Sequence, residues 1–235
     1  MAIRETDEPR SRRDRPAKAP LSRAVITATA LELVRQQDLE SVTLRKVADR
    51  LDTGPASLYV YVANRDELLE RMLDQVLSEV PPVRVESRRW QARLVELFSG
   101  TLAALDRYPG IAQVGLGSLA NSSAGLAITE NALALMRAGG VPDQAAAWAC
   151  DAASLYTFAH AVEHAIERRR VPTTPQQKSV DIDTAIAQHR ELLASLPEAR
   201  YPNLKRMAVT MTTGDDQQRF EFGLKALLRG ARDDR

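Results

Sequence analysis

The chain is short of cysteine, of aromatic residues and of excess charge, and each shortage narrows what it can be. Cys150 is the single cysteine among 235 residues. No internal disulfide can form, which fits a reducing compartment and a cytoplasmic location. The ordinary role of such a residue is that of a small buried side chain on a helix. No apolar run approaches the roughly eighteen residues of a membrane-spanning helix. The first residues have no apolar core between their charges and Lys18, so no secretory signal is expected there. The 32 basic and 31 acidic side chains leave a formal charge of +1. That balance argues against an architectural protein that coats DNA without sequence choice, because such proteins rely on many phosphate contacts. There is no glycine-rich phosphate loop and no nucleophile–base pair, so neither a cofactor nor an enzymatic activity is expected.

What is present is a globular composition, 44% hydrophobic and 27% charged, in a length that suits a small domain fused to a larger one. No segment alternates apolar and polar residues, so the expected fold is all-α. Residues 1–20 are rich in arginine, proline and aspartate and are expected to be a disordered basic tail. Arg10, Arg12, Arg13, Arg15, Lys18 and Arg23 face only Asp14 in this region. Two readings stand: an arm that follows a DNA backbone or enters a minor groove, or a solvated tail broken by proline.

The stretch Thr43–Asn64, TLRKVADRLDTGPASLYVYVAN, organises the rest. A helix from near Ser22 to Gln37 carries Ile26, Ala30, Leu33 and Val34 on one face, and Leu39 and Val42 plug the connection after it. Thr43 caps a second helix with an apolar stripe of Leu44, Val47, Ala48 and Leu51. Asp52-Thr53 makes a turn, a short polar residue being the least costly non-glycine choice for a left-handed conformation. Gly54 caps a third helix and Pro55 takes its first position, with Leu58 and Val62 on the buried side. Asn64 ends that helix after about two and a half turns and, with Glu67, opens the next as a capping box. A short helix after a clipped turn is the geometry of a DNA-reading helix-turn-helix. The domain is expected at 21–66, with a larger helical domain at 67–235.

The helix opened by Asn64 carries Leu68, Leu69, Met72, Leu73, Val76, Leu77 and Val80 before Pro81-Pro82 stops it. Further helices are expected at about 87–107, 110–116, 123–138, 142–169, 181–195 and 215–231, with a short turn near 202–208. Residues 168–179 lack apolar periodicity and are expected to form a mobile loop. The helices at about 142–169 and 215–231 are apolar nearly all round: Trp148, Tyr156, Leu155 and Phe158 in the first, Phe220, Phe222, Leu224 and Leu227 in the second. Each must be buried on two sides. Either a second copy covers them in a four-helix homodimer interface, or both lie centrally in a monomeric core.

An enzyme alternative rests on His160-Ala-Val-Glu163-His164. This H-x-x-E-H spacing puts two imidazoles on one helical face, as in a zinc-dependent hydrolase with Glu163 as general base. The pattern is short, and no third ligand is evident.

T-L-R-K-V-A-D-R-L followed by S-L-Y-V-Y-V-A-N-R-D-E-L-L, with the long helix after it and the late F-E-F-G-L-K-A-L-L segment, resembles a TetR-type transcriptional regulator over about residues 21–230. The C-terminal half is most similar to the tetracycline-repressor branch. Asp52 departs from the glycine usual in the turn, and Gly54-Pro55 departs at the start of the reading helix. The resemblance implies a ligand-responsive regulator, most simply a repressor, that binds a palindromic operator as a homodimer and is released by a small-molecule effector. The expected DNA-binding set is Thr43, Arg45, Lys46, Gly54, Pro55, Ala56, Ser57, Tyr59, Val60, Tyr61 and Arg65. Arg45 would meet a guanine edge or phosphate, and Pro55, Ala56 and Ser57 allow close approach to bases. Val60 would face bases, Tyr59 and Tyr61 would grip phosphates, and Arg65 would hold one beside free N–H groups.

The same resemblance implies a ligand pocket touching Leu97, Thr101, Gly115, Leu119, Ile128, Asp151, Ser154, Leu155 and Glu163, coupled to DNA through the helix from Asn64 to Val80. Tetracycline repressors hold a magnesium–drug chelate through a histidine whose matching position here is Gly115. Glu163 matches a carboxylate that serves that metal through water, and Leu155 replaces a second histidine. A magnesium–tetracycline ligand is therefore not expected, and no resident metal is expected.

Overall fold

A computed structural model describes residues 20–116, 122–170 and 182–233. The tail at 1–19, Leu119 and most of the expected 168–179 loop lie outside the described residues; 168–170 are the last turn of a helix rather than loop. The described residues form helices with no strand.

Three helices build the small N-terminal unit: α1 (Arg23–Gln36), α2 (Leu44–Arg50) and α3 (Pro55–Leu58). The Ser22 hydroxyl accepts the Val25 N–H at 3.2 Å and the Thr43 hydroxyl accepts the Lys46 N–H at 3.2 Å, so each first turn has its orphan donor satisfied. Ile26, Ala30, Val34, Val42, Val47, Leu58 and Val62 are sealed from solvent. Asp52 makes the turn at φ 49°, the only non-glycine residue described with a positive φ.

The reading helix is shorter than expected. Only Pro55–Leu58 is regular α-helix; Tyr61 N–H and Val62 N–H then both donate to the Leu58 carbonyl, at 2.9 and 3.0 Å. The run Tyr59-Val60-Tyr61-Val62 supplies β-branched and aromatic side chains, which lose rotamer freedom against a preceding helical turn. A tighter turn still buries Leu58 and Val62 together.

Helix α4 (Arg65–Leu77) begins with the expected cap: the Asn64 side chain accepts the Glu67 N–H at 2.8 Å. Glu67 reaches back one residue further than a standard box, to the Ala63 N–H at 2.6 Å. The regular helix stops at Leu77 rather than Val80, and Glu79 and Val80 close three-residue turns onto Val76 and Leu77.

After a 3₁₀ turn at Ser87–Arg89 come α5 (Trp90–Asp106), α6 (Ala112–Leu116), α7 (Ser123–Ala138) and α8 (Asp143–Arg170). Helix α5 is the central post. It packs against α4, α7, α8 and α11 (Asp216–Asp233) and buries Leu94, Leu97, Phe98 and Leu105. Each such side chain stabilises the fold by about 1.5–3 kcal/mol relative to exposure. The expected turn near 202–208 is a full helix, α10 (Pro202–Met211), paired with α9 (Ile182–Ser195) as a hairpin. Pro202 suits a first helical position, and Arg190 of α9 donates to the Thr212 hydroxyl at 2.7 Å and the Thr212 carbonyl at 3.2 Å, closing the far end.

Helices α8 and α11 each bury one face and leave another bare. Ala153 and Thr157 on α8, and Phe220, Leu224 and Leu228 on α11, are fully enclosed, while Trp148 is 65% and Phe222 74% exposed. Tyr156 stacks on Phe220 with centroids 5.5 Å apart, and its hydroxyl donates to the Arg219 carbonyl at 3.2 Å.

The positive φ at Asp52 gives a direct test. Asp52→Val places a β-branched residue in a left-handed conformation and is expected to cost about 1–2 kcal/mol, whereas Asp52→Gly tolerates the turn; thermal unfolding of the two variants compares them.

Candidate nucleic-acid interface and ligand cavity

The start of α3 offers a small, open surface. Gly54, Pro55, Ala56 and Ser57 are exposed, and Tyr59 and Val60 follow at 57% and 76% exposure. Thr43, Arg45 and Lys46 lie exposed at the start of α2. The Thr43 hydroxyl is already engaged as a cap, and Lys46 Nζ donates to Gln37 Oε1 at 3.2 Å. Tyr61 differs from Tyr59: it is half-buried against the core, and its carbonyl accepts Arg23 Nε at 3.1 Å.

Arg65 is not free to hold a phosphate in this conformation. Its Nε donates to the Val42 carbonyl at 2.8 Å and its Nη2 to the Leu39 carbonyl at 3.0 Å. These carbonyls lie in the connection between α1 and α2, where the Leu39 carbonyl also accepts the Val42 N–H at 3.2 Å. The planar guanidinium fork meets both at once and ties the start of α4 to that connection.

The larger feature is a cavity of about 740 Å³ walled by α4, α6, α7 and α8. Gly115, Asp151, Ser154 and Leu155, four of the residues expected from sequence, line it. Leu97 and Ile128 instead border a second, smaller cavity of about 350 Å³ near the start of α7. Thr101 borders neither; it is buried within α5 and donates its hydroxyl to the Leu97 carbonyl at 2.9 Å. Glu163 also lines neither, and its mostly exposed carboxylate sits 3.9 Å from His160 Nδ1.

Helix α4 contributes a wall that sequence reasoning missed. Glu67, Glu70, Arg71 and Asp74 line the large cavity, and their spacing of three, one and three is the polar counterpart of the buried Leu68/Met72/Val76 stripe. That periodicity was available in the sequence. Glu67 makes two contacts at once: one carboxylate oxygen accepts the Ala63 N–H, and the other accepts Arg71 Nη2 at 2.7 Å. The backbone donor and the guanidinium both hold its pKa below the ordinary glutamate value. Asp74 accepts the Ala124 N–H at 2.8 Å, joining α4 to the start of α7.

Phe158 fills the space beside Gly115. A Cβ at Gly115 would come within 2.3 Å of the Phe158 ring, so an imidazole there would require that ring to move. The H-x-x-E-H residues are occupied elsewhere. His164 Nδ1 lies 2.9 Å from Asp106, and His160 packs edge-on against Tyr156 and Phe220. Among the described residues no group of three or more His, Cys, Asp or Glu side chains is placed to hold a metal ion.

Two family models match the chain: "Bacterial regulatory proteins, tetR family" over residues 26–72 and "Tetracyclin repressor-like, C-terminal domain" over residues 84–234. The chain belongs to the TetR family of transcriptional regulators. The HTH-type transcriptional repressor DrrR1 of Streptomyces coeruleorubidus is 29% identical, over 92% of this chain and 80% of that protein. The class D tetracycline repressor protein of Escherichia coli is 26% identical, over 90% and 89%. The crystal structure of ActR from Streptomyces coelicolor in complex with actinorhodin superposes with a TM-score of 0.80 and 31% identity, over 91% of this chain and 96% of that one. No described helix of this TetR-family chain is long and apolar enough to cross a membrane.

Cys150 lies in the wall of the large cavity, and burial first, then the Asp151 charge, push its thiol up to about 11. The folded thiol keeps its proton where the unfolded one would lose it. Its contribution to stability is therefore complete below the ordinary value of 9.0 and lost as pH rises toward 11. Near neutral pH the native protein is expected to react with a thiol-specific disulfide reagent at least about tenfold more slowly than the unfolded chain, measured by release of the reagent's chromophore.

Proposed function

We propose that this regulator is a repressor that binds a palindromic operator as a homodimer and releases it when a small molecule fills the large cavity. The observation that carries the reading is the position of Glu67. Its carboxylate lines the cavity and, through the Ala63 N–H, holds the backbone just after the exposed Tyr59-Val60 segment. A ligand that displaces Glu67 or Arg71 acts on the joint between the reading unit and α4 as well as on α4 itself. Coupling of about 1–3 kcal/mol between two sites corresponds to a roughly 5–150-fold change in DNA affinity. ActR, solved in complex with actinorhodin, is a related example of small-molecule binding.

The bare faces of α8 and α11 support the homodimer, whose two-fold axis would present two reading heads to successive major grooves. In that arrangement Pro55, Ala56, Ser57 and Val60 meet bases, while Arg45, Lys46 and Tyr59 contact the backbone with Thr43 and Gly54 at its edge. Tyr61 contributes mainly by packing. Arg65 acts by fixing the frame, not by touching phosphate. The small-molecule site comprises Gly115, Asp151, Ser154 and Leu155, with the carboxylates of α4 added to it.

Selection from random-sequence DNA by the purified protein tests the reading and is expected to return a palindrome. A ratio near one between selected and random DNA, measured across a salt titration, would instead support coating without sequence choice. Tyr59→Ala is expected to weaken selected and random DNA alike, whereas Ser57 substitutions change the preferred half-site; an unchanged profile across several Ser57 variants contradicts that role. Arg65→Ala is expected to lower unfolding stability by about 1–2 kcal/mol through loss of two part-buried hydrogen bonds to backbone carbonyls, a loss read by denaturant titration that a phosphate contact alone would not produce.

A further inference from the structure

The charge of the large cavity identifies the class of molecule it takes. Four carboxylates and one guanidinium line it. Arg71 is committed to Glu67, and Asp74 is committed to the start of α7. Glu70 on α4 and Asp151 on α8 remain, both exposed and without an ion-pair partner among the described residues. The remainder of the wall is largely apolar, with Leu73, Leu77, Leu133 and Phe158 among its residues.

We infer that the effector is a cationic amphiphile: a flat apolar body with a protonated nitrogen that meets Glu70 and Asp151. This rests on the reading of the cavity as the effector site and adds the ligand's charge to it. Unpaired carboxylates from two helices beside an apolar wall favour a cation and oppose an anion through charge complementarity. The apolar wall holds the body and the carboxylates orient it, the usual division of labour in a ligand pocket. Glu67 lies one helical turn from Glu70, so a cation placed there also competes with Arg71 for Glu67.

Two dyes on one three-ring scaffold test the charge. Rhodamine 123 is a cation near neutral pH and fluorescein is an anion, and each is titrated with the full chain by fluorescence anisotropy. Rhodamine 123 is expected to bind at least tenfold more tightly. The double variant E70Q/D151N, altered only at exposed positions, is expected to bring that ratio to within about threefold of unity. S154W, which puts an indole into the cavity beside Leu155 and Phe158, is expected to weaken both dyes. Equal or tighter binding of fluorescein, or a preference that survives in E70Q/D151N, overturns the charge assignment and leaves the cavity reading intact. No binding of either dye, or binding that S154W leaves unchanged, overturns the cavity as the site along with it.

Discussion

Helix α4 buries Leu68, Leu69, Met72, Leu73, Val76 and Leu77 while packing against α1 of the reading unit and against α5, α6 and α7 of the larger domain. Both cores therefore share one helix. A rigid rod of thirteen residues cannot be displaced at one end without consequence at the other, because its buried face is close-packed with both sets of neighbours. The opposite face, with Glu67, Glu70, Arg71 and Asp74, is the part left to line the cavity. Under the proposed function, occupancy of the pocket would act on the reading unit through this shared helix.

Polar contacts fix the surroundings of both ends of α4. At one end of α4, Arg65 is pinned to the Val42 and Leu39 carbonyls and Glu67 to the Ala63 N–H. Just past the other end, Glu79 pairs with Arg107 and accepts the Tyr108 hydroxyl at 3.1 Å, and that hydroxyl accepts Arg35 Nη2 of α1 at 2.7 Å. The reading unit is thus held to the larger domain at two separate places around α4. Contacts to charged groups are the stronger kind of hydrogen bond and are directional, so they define discrete positions for α1 and α3 more sharply than apolar packing alone.

The helical segments and their caps were legible in the residues because the physics behind them is local. Ser22, Thr43 and Asn64 each cap the helix that follows; Asp52 takes the left-handed turn; Gly139-Gly140 with Pro142 separates α7 from α8. The errors were also physical. The reading helix is cut short by the cost of four consecutive β-branched and aromatic residues, and 202–211 forms a helix where a turn is expected because packing on the preceding helix α9, and not local propensity, supports it.

Side-chain destinations divided differently. That Leu58 and Val62 are buried while Tyr59 and Val60 are exposed follows from the phase of a helical turn, which sequence carries. That Arg65 spends its charge on two carbonyls, that Phe158 fills the space beside Gly115 and that Glu163 faces away from both cavities follows only from how helices pack. The sequence by itself determined the all-α class, the helix-turn-helix and the apolar faces, since propensity, capping and periodicity act over a few residues. The tertiary structure decided the cavity, its acidic wall and its link to the reading head, since these require side chains from α4, α6, α7 and α8 to converge across long separations in the chain.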